Sequence, residues 1–162
     1  FTRDTLSLAL SMSGFEVIEC NEEWHRYIIS ALVRKRRKLD VSSFQNQQAR
    51  VTDELKEYIS RFGRKRVAIW GAGHQAFSVM AFIDIGDKVK FVLDSASFKQ
   101  GRFTPATHIP IVSPDTLNSD PVDAVIIIAA GYSDEVLRTM QQKFPGISNV
   151  AVLRDYGLEL VK

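Results

Sequence analysis

The sequence has few of the residues that build several common kinds of site. Its single cysteine, Cys20, excludes an internal disulfide and a cysteine-based zinc cluster, and is typical of a protein from a reducing cytoplasm. The three histidines, His25, His74 and His108, are too scattered for the spacing of metal ligands on one helix or hairpin. The longest apolar run, Ala124 to Ala130, is far below the ~20 residues that a membrane-spanning helix needs. We therefore expect a cytoplasmic protein without a metal centre or a membrane contact.

Strong charge of either sign is also missing. The net charge of +2 over 162 residues does not favour a nucleic-acid partner. The basic run "RKRRK", Arg34 to Lys38, suits either a phosphate patch or a solvated strand end, and without interleaved aromatic residues the second interpretation is favoured. No basic start followed by an apolar block indicates a secretory signal. The chain begins at Phe1 within a helical pattern, so we expect a piece of a longer protein.

The first 63 residues are predicted to form two small segments, a helix with a β-hairpin and a linking helix. In residues 1 to 38 the pattern indicates a helix, "TLSLALSM", and two strands, "FEVIEC" and "RYIISALV", and a hairpin of this size has too little core to be stable alone. Cys20 lies in the first strand, where we expect it to be buried. Residues 39 to 63 carry apolar side chains at spacings of three and four, which predicts a linking amphipathic helix.

From residue 64 to 162, strands and helices alternate. The predicted strands are 67–70, 89–93, 110–112, 124–129 and, as the last, 149–153. Helices are predicted over 74–85 with Gly86 as terminator, after Ser113 as N-cap, and after Ser133 as N-cap. Repeated βα units predict an α/β fold, a Rossmann-like and mainly parallel sheet with helices on both faces.

The turn after the first of these strands, "GAGHQA", has the form of a dinucleotide-binding βα turn. Gly71 allows the tight turn, Ala72 lies between the glycines, Gly73 lets a phosphate approach the backbone, and His74 opens the helix whose N–H groups attract an anion. Asp94 ends the next strand, where a carboxylate can bind ribose hydroxyls. Many folds keep such glycines only for the turn, so NAD stays one possibility among several.

Two further loops should meet this turn at the carboxyl edge of the sheet. The long loop 95–109 contains Lys99, Arg102 and His108, and its two cations can neutralise a diphosphate. The loop after the central strand contains Tyr132. We expect these residues to form an anion-binding crevice.

The segments "FVLDSASFKQGRFTPATHIPIVSP" and "VIIIAAGYSDEV" resemble the C-terminal domain of sugar C-methyltransferases. The resemblance covers about residues 50 to 155. It lies in a long phrase that falls on Asp94, Lys99, Gln100, Gly101, Arg102, Pro105, Thr107, His108, Ile109, Pro110 and Ile111. Residues 1 to 38 are similar to the last helix and β-hairpin of a class I S-adenosylmethionine-dependent methyltransferase domain. The chain departs from the family at Ala106, where a glycine is usual, and at Ala130 and Gly131, where tryptophan and asparagine are frequent.

The resemblance implies a substrate-binding portion that does not transfer a methyl group by itself. S-adenosylmethionine would bind the upstream methyltransferase domain of the same chain, outside this portion. A nucleotide-linked sugar or related small molecule would be held by Gly71, Ala72, Gly73, His74, Asp94, Lys99, Gln100, Gly101, Arg102, His108 and Tyr132.

Two alternatives remain from the sequence. One is an NAD-dependent oxidoreductase domain, favoured by the glycine turn and Asp94, although no acid/base constellation is visible. The other is a non-catalytic nucleotide-sugar-binding Rossmann module similar to the N-terminal domains of sugar acyltransferases, against which the Lys-Gln-Gly-Arg phrase argues.

Overall fold

The computed structural model describes residues 1–37, 40–83, 85 and 87–161, which form two compact units that divide after Ser42. The first unit contains helix α1, Arg3–Met12, and strands β1, Phe15–Glu23, and β2, Ile28–Lys35. A capping box between Thr2 and Thr5 starts α1. The two strands pair antiparallel, so the predicted helix and hairpin are present.

The first unit has a thin interior. None of its described residues is fully buried, as expected for an isolated two-stranded hairpin. The expectation that Cys20 is buried is wrong: its side chain is half-exposed, with Sγ 3.8 Å from the carbonyl oxygen of Arg3. In the basic run, Arg34 pairs with Glu16 across the strands at 2.7 Å, while Lys38 lies outside the described residues.

The second unit carries the larger sheet. Its elements in chain order are α2, Ser42–Ser60; β3, Val67–Trp70; α3, His74–Phe82; β4, Val89–Leu93; β5, Ile111–Val112; α4, Thr116–Ser119; β6, Ala124–Ile127; α5, Ser133–Lys143; β7, Asn149–Arg154; and β8, Gly157–Val161. The spatial order is β5-β4-β3-β6-β7-β8. The first five strands of that order are parallel, which confirms the predicted Rossmann-like α/β fold.

Both faces of this sheet are covered, which explains why β3 and β6 are continuous apolar runs. One layer joins Leu55, Tyr58 and Ile59 of α2 and Met80 of α3 to alternate strand residues. The opposite layer joins Leu117 of α4 and Met140 of α5 to the other strand residues. Helix α2, predicted as a linker, thus contributes to the core of the second unit because its spacing of three and four aligns its apolar residues on one side.

The C-terminal strand β8 was missed by the sequence analysis, which ended the sheet at β7. β8 pairs antiparallel with β7 from Val150–Val161 to Arg154–Gly157 and makes the sheet mixed. The two-residue turn at Asp155 and Tyr156 precedes Gly157, whose φ of +141° favours glycine. Among the described helices, none is both long and apolar enough to cross a bilayer.

Several predicted helix ends are wrong. Helix α3 ends at Phe82 because Ile83 is extended, with φ −102° and ψ 124°, while the predicted terminator Gly86 lies outside the described residues. Helix α4 begins at Thr116 with Asp115 as N-cap. Ser113 lies before it, where its carbonyl accepts the Thr116 N–H at 3.1 Å and its Oγ accepts the Asp115 N–H at 3.3 Å.

Ser133 is also not the N-cap of α5. It is the first helical residue, after Tyr132 as N-cap, and is 2% exposed. No hydrogen-bond partner for its Oγ lies among the described atoms.

Replacing Ser133 by alanine tests whether this residue is the N-cap of α5. A serine N-cap replaced by alanine costs about 1 kcal/mol, whereas a buried hydroxyl without a partner stabilises nothing. We expect Ser133→Ala to leave the free energy of unfolding unchanged or to raise it, as measured by urea denaturation. A loss of about 1 kcal/mol or more would restore the capping interpretation.

Candidate functional site

The turn from β3 into α3 forms the centre of the carboxyl edge of the sheet. Gly71 has φ +128°, and a Cβ at this position would lie 2.2 Å from the carbonyl oxygen of Ile128, so the backbone fits only a glycine. A Cβ on Gly73 would meet no atom within 4 Å. The first glycine is therefore required by the fold, whereas the second leaves open space beside the backbone.

The amino end of α3 adds positive potential to this turn. Gly73 is the N-cap and offers no side-chain hydrogen bond, so the first N–H groups of α3 have no capping side chain among the described residues. Gln75 accepts a 3.1 Å bond from the Ala130 N–H, which ties the helix to the loop after β6. An anion beside Gly73 would be favoured by these N–H groups and by the helix dipole.

Asp94, at the end of β4, organises this region. Its Oδ2 accepts hydrogen bonds from the Ala72 N–H at 2.8 Å and from Lys99 Nζ at 2.9 Å. Its Oδ1 accepts one from the Ala96 N–H at 2.9 Å. A carboxylate offers about four acceptor sites, so these three donors leave room for about one ligand hydroxyl.

Burial and hydrogen bonding act in opposite directions on this carboxyl. Desolvation raises the pKa of Asp94, but the N–H bonds from Ala96 and Ala72 and the Lys99 ammonium outweigh it and hold the pKa below the usual value. Asp94 is therefore ionised at neutral pH, and it fixes Lys99 beside the glycine turn.

The Lys-Gln-Gly-Arg phrase builds the loop around these groups. Gln100 donates through Nε2 to the carbonyl oxygen of Asp94 at 2.9 Å. Gly101 has φ +76° and its N–H binds the Ile111 carbonyl at 2.9 Å. Arg102 donates through Nε to the Phe98 carbonyl at 2.9 Å. Gln100 and Gly101 thus support the loop, whereas Lys99 and Arg102 face cavities.

Loop 95–109, predicted to lack structure of its own, is held by turns and a bridge. Phe103 and Pro110 form an isolated antiparallel bridge. Thr104 is 2% exposed and its Oγ1 accepts the Ile109 N–H at 2.8 Å. The ring of His108 stacks on that of Phe103, with centroids 4.6 Å apart and planes 4° apart.

Two cavities meet at the glycine turn. The Tyr132 cavity has a volume of about 540 Å³ and is lined by the turn together with Asp94, Tyr132 and Glu135. The Phe103 cavity has a volume of about 350 Å³ and is lined by His74, Arg102 and Phe103, among others. Ala72, Gly73 and Lys99 line both cavities and form their shared wall.

The predicted site residues divide between these places. The cavities bring together Gly71, Ala72, Gly73, His74, Asp94, Lys99, Arg102 and Tyr132. Gln100, Gly101 and His108 do not line them and act through the loop. Three further lining residues, Phe77, Phe103 and Glu135, were not among the predicted site residues, although an aromatic residue directly after Arg102 was a visible signal.

A third cavity lies apart from the predicted site, between α2 and α3. It has a volume of about 440 Å³ and an apolar lining that includes Phe44, Val51, Val79 and Phe82. None of the predicted site residues lines it.

The carboxyl edge carries charged and polar groups from several loops. Within the described ranges, no three His, Cys, Asp or Glu side chains are grouped as metal ligands. The arrangement supplies cations, backbone amides and hydroxyl acceptors around two connected cavities.

Comparison with known proteins agrees with the resemblance of the loop phrase. Over 74 residues the chain is 30% identical to C-methyltransferase NovU of Streptomyces niveus. That match covers 45% of this chain and 18% of the relative, so the chain corresponds to a small part of that protein. A model of the C-methyltransferase C-terminal domain matches residues 34–148, which is more than half of the chain. The chain therefore belongs to the C-methyltransferase C-terminal domain family.

Proposed function

We propose that this chain is the substrate-binding portion of an S-adenosylmethionine-dependent C-methyltransferase and that it holds a nucleotide-linked sugar. The observation that carries the proposal is the shared wall, where Gly73 and Lys99 lie between two cavities. In a nucleotide-linked sugar, the charged diphosphate lies in the middle, and the neutral nucleoside and sugar lie at its two ends. A wall of cation and backbone amides with a cavity on each side matches that distribution of charge.

Each residue has a distinct part in this proposal. The Lys99 ammonium and the Arg102 guanidinium neutralise the phosphates, and Arg102 can bind two oxygens at once. The open space beside Gly73 lets a phosphate reach the first amides of α3. Asp94 and Tyr132 offer hydrogen bonds to sugar hydroxyls.

We assign S-adenosylmethionine to the upstream methyltransferase domain of the full-length protein, because residues 1 to 38 resemble the last helix and β-hairpin of such a domain. A cytoplasmic location, expected from the single cysteine, is part of the same proposal.

Membership of the C-methyltransferase C-terminal domain family favours this proposal over the NAD alternative. Calorimetric titration with thymidine diphosphate, NADH and S-adenosylhomocysteine tests the three ligands separately. We expect heat from thymidine diphosphate alone. Binding of NADH alone would favour the oxidoreductase alternative, and binding of S-adenosylhomocysteine would contradict the assignment of the methyl donor to another domain.

Lys99→Ala combined with Arg102→Ala tests the phosphate role. Each hydrogen bond to a charged group is worth about 1.5–3 kcal/mol, so we expect thymidine diphosphate affinity to fall by about 100-fold or more. Lys56→Ala in α2 combined with Arg61→Ala directly after it removes the same charge away from these two cavities and serves as the control. Equal affinity of the two double variants would contradict the phosphate role.

A further inference from the structure

Phe103 presents an aromatic surface that the core does not use. Its side chain is 54% exposed, although it lies next to Thr104, which is 2% exposed. One face of the ring is covered by the parallel ring of His108. A flat pair of rings at the rim of a cavity leaves a surface on which another planar ring can stack.

The loop keeps this pair in place. Ala106 and His108 both have positive φ, 62° and 53°, which non-glycine residues seldom adopt. The Thr104 and Thr107 hydroxyls lie 2.7 Å apart, and Thr104 also accepts the Ile109 N–H. The Phe103 bridge to Pro110 closes the loop. Phe103 is therefore presented by a fixed hairpin.

The two cavities differ in chemistry. The Phe103 cavity has apolar walls from Phe77, Phe103 and Ile111, and the cations of Lys99 and Arg102 also line it. Of the described carboxylates, none forms an ion pair with Arg102. The Phe103 cavity therefore suits a planar apolar group that carries a negative substituent.

The Tyr132 cavity also has apolar walls, from Trp70, Ala129 and Val136, but it carries more hydrogen-bonding groups. It contains the carboxylates of Asp94 and Glu135 and the hydroxyl groups of Ser95 and Tyr132. Carboxylates repel phosphate and accept hydrogen bonds from hydroxyls. This cavity suits a neutral group with many hydroxyls.

We infer that the Phe103 cavity is the base subsite: a planar heterocyclic base stacks on Phe103, the diphosphate crosses the shared wall at Gly73 and Lys99, and the sugar enters the Tyr132 cavity. The inference rests on the proposed function and adds the direction in which the ligand lies. Placing the base in the Tyr132 cavity would leave the sugar hydroxyls among Phe77, Phe103 and Ile111 and would bring the phosphates no closer to a cation.

The test compares thymidine diphosphate with inorganic pyrophosphate, which has no base. In Phe103→Leu we expect affinity for thymidine diphosphate to fall about tenfold, in line with the loss of one base–aromatic stack, and affinity for pyrophosphate to stay unchanged. Phe103→Tyr keeps the ring and should keep the affinity. Phe44→Leu makes the same change at an exposed phenylalanine of α2 that lines neither of these two cavities and is the matched control.

Proton NMR of the bound ligand gives a second readout. The thymine protons should move upfield in the native chain, because they lie over the Phe103 ring, and should lose that shift in Phe103→Leu. Unchanged thymidine diphosphate affinity in Phe103→Leu, or an equal loss for pyrophosphate, would overturn the base subsite. If the base subsite were overturned in this way but Lys99→Ala with Arg102→Ala still weakened binding of thymidine diphosphate, the proposed function would stand. No binding of thymidine diphosphate to the native chain would overturn both.

Discussion

Replacing Gly71 by alanine is expected to destabilise the second unit by about 3 kcal/mol or more, because a strained backbone position costs about 1–3 kcal/mol and a steric overlap adds to it. The new Cβ would lie 2.2 Å from the carbonyl oxygen of Ile128, at a φ of +128°. Such a loss is a large part of the total stability of a domain, about 5–15 kcal/mol. Urea denaturation followed by the fluorescence of buried Trp70 measures it, with exposed Trp24 as a constant background.

Gly73→Ala is the matched control, two residues away in the same turn. Its Cβ would meet nothing within 4 Å and its φ is −121°, so we expect a change below about 1 kcal/mol. Under the proposed function this methyl group would also enter the shared wall and weaken thymidine diphosphate binding. Equal stability of the two variants would contradict the turn geometry described for Gly71.

Asp94→Asn is expected to lower the free energy of unfolding at neutral pH by about 1–3 kcal/mol, the cost of leaving a buried donor without its acceptor. The amide keeps the size of the carboxylate, but it removes the charge that holds Lys99 and one of the oxygens that receive the Ala72 and Ala96 N–H groups. Urea denaturation at pH 7 measures the loss. A variant as stable as the native chain would show that these three bonds contribute nothing net.

The difference in free energy of unfolding between the native chain and Asp94→Asn is expected to depend on pH. Because the folded chain lowers the pKa of Asp94 below the unfolded value of about 3.9, its stabilisation is complete above about pH 5 and is lost as the pH falls through the lowered pKa. The stability difference between the native chain and Asp94→Asn should therefore shrink in acid. Asp123, whose pKa is lowered by Arg66, titrates in both proteins and cancels from the difference. A difference that stays constant down to pH 2 would contradict the role of ionised Asp94.

The strands of the sheet were predictable from patterns that are local in sequence. Runs such as "VAIW" and "AVIII" are apolar at every position, which indicates strands covered on both faces. The strand β8 escaped because "GLELV" is short and follows a turn that resembles an ordinary chain end. Ser133 was misjudged because a serine before two acids favours an N-cap, whereas the 3-10 turn at Ala130–Tyr132 makes Tyr132 the cap and buries the hydroxyl.

The candidate site was predictable as a location and less so as a set of contacts. The glycine turn, Asp94 and the two loops were expected to meet because parallel strands place their carboxyl ends at one edge. The partners of Asp94 were not predictable, since Ala72 is 22 residues away in sequence and reaches Oδ2 only after β3 and β4 have paired. The same applies to the stack of His108 on Phe103, which depends on two positive φ angles in the loop.

By itself, the sequence determined the alternation of strands and helices, the position of the glycine turn and the loop phrase that marks the C-methyltransferase C-terminal domain family. Apolar periodicity and glycine placement are local, so they can be seen before the chain folds. Only the tertiary structure decided that Gly71 is fixed by the Ile128 carbonyl while Gly73 is open, that Asp94 is engaged by three donors, and that two cavities with different polar groups share one wall. Each of these depends on a distance between residues far apart in the chain, which packing of the sheet and its helices sets.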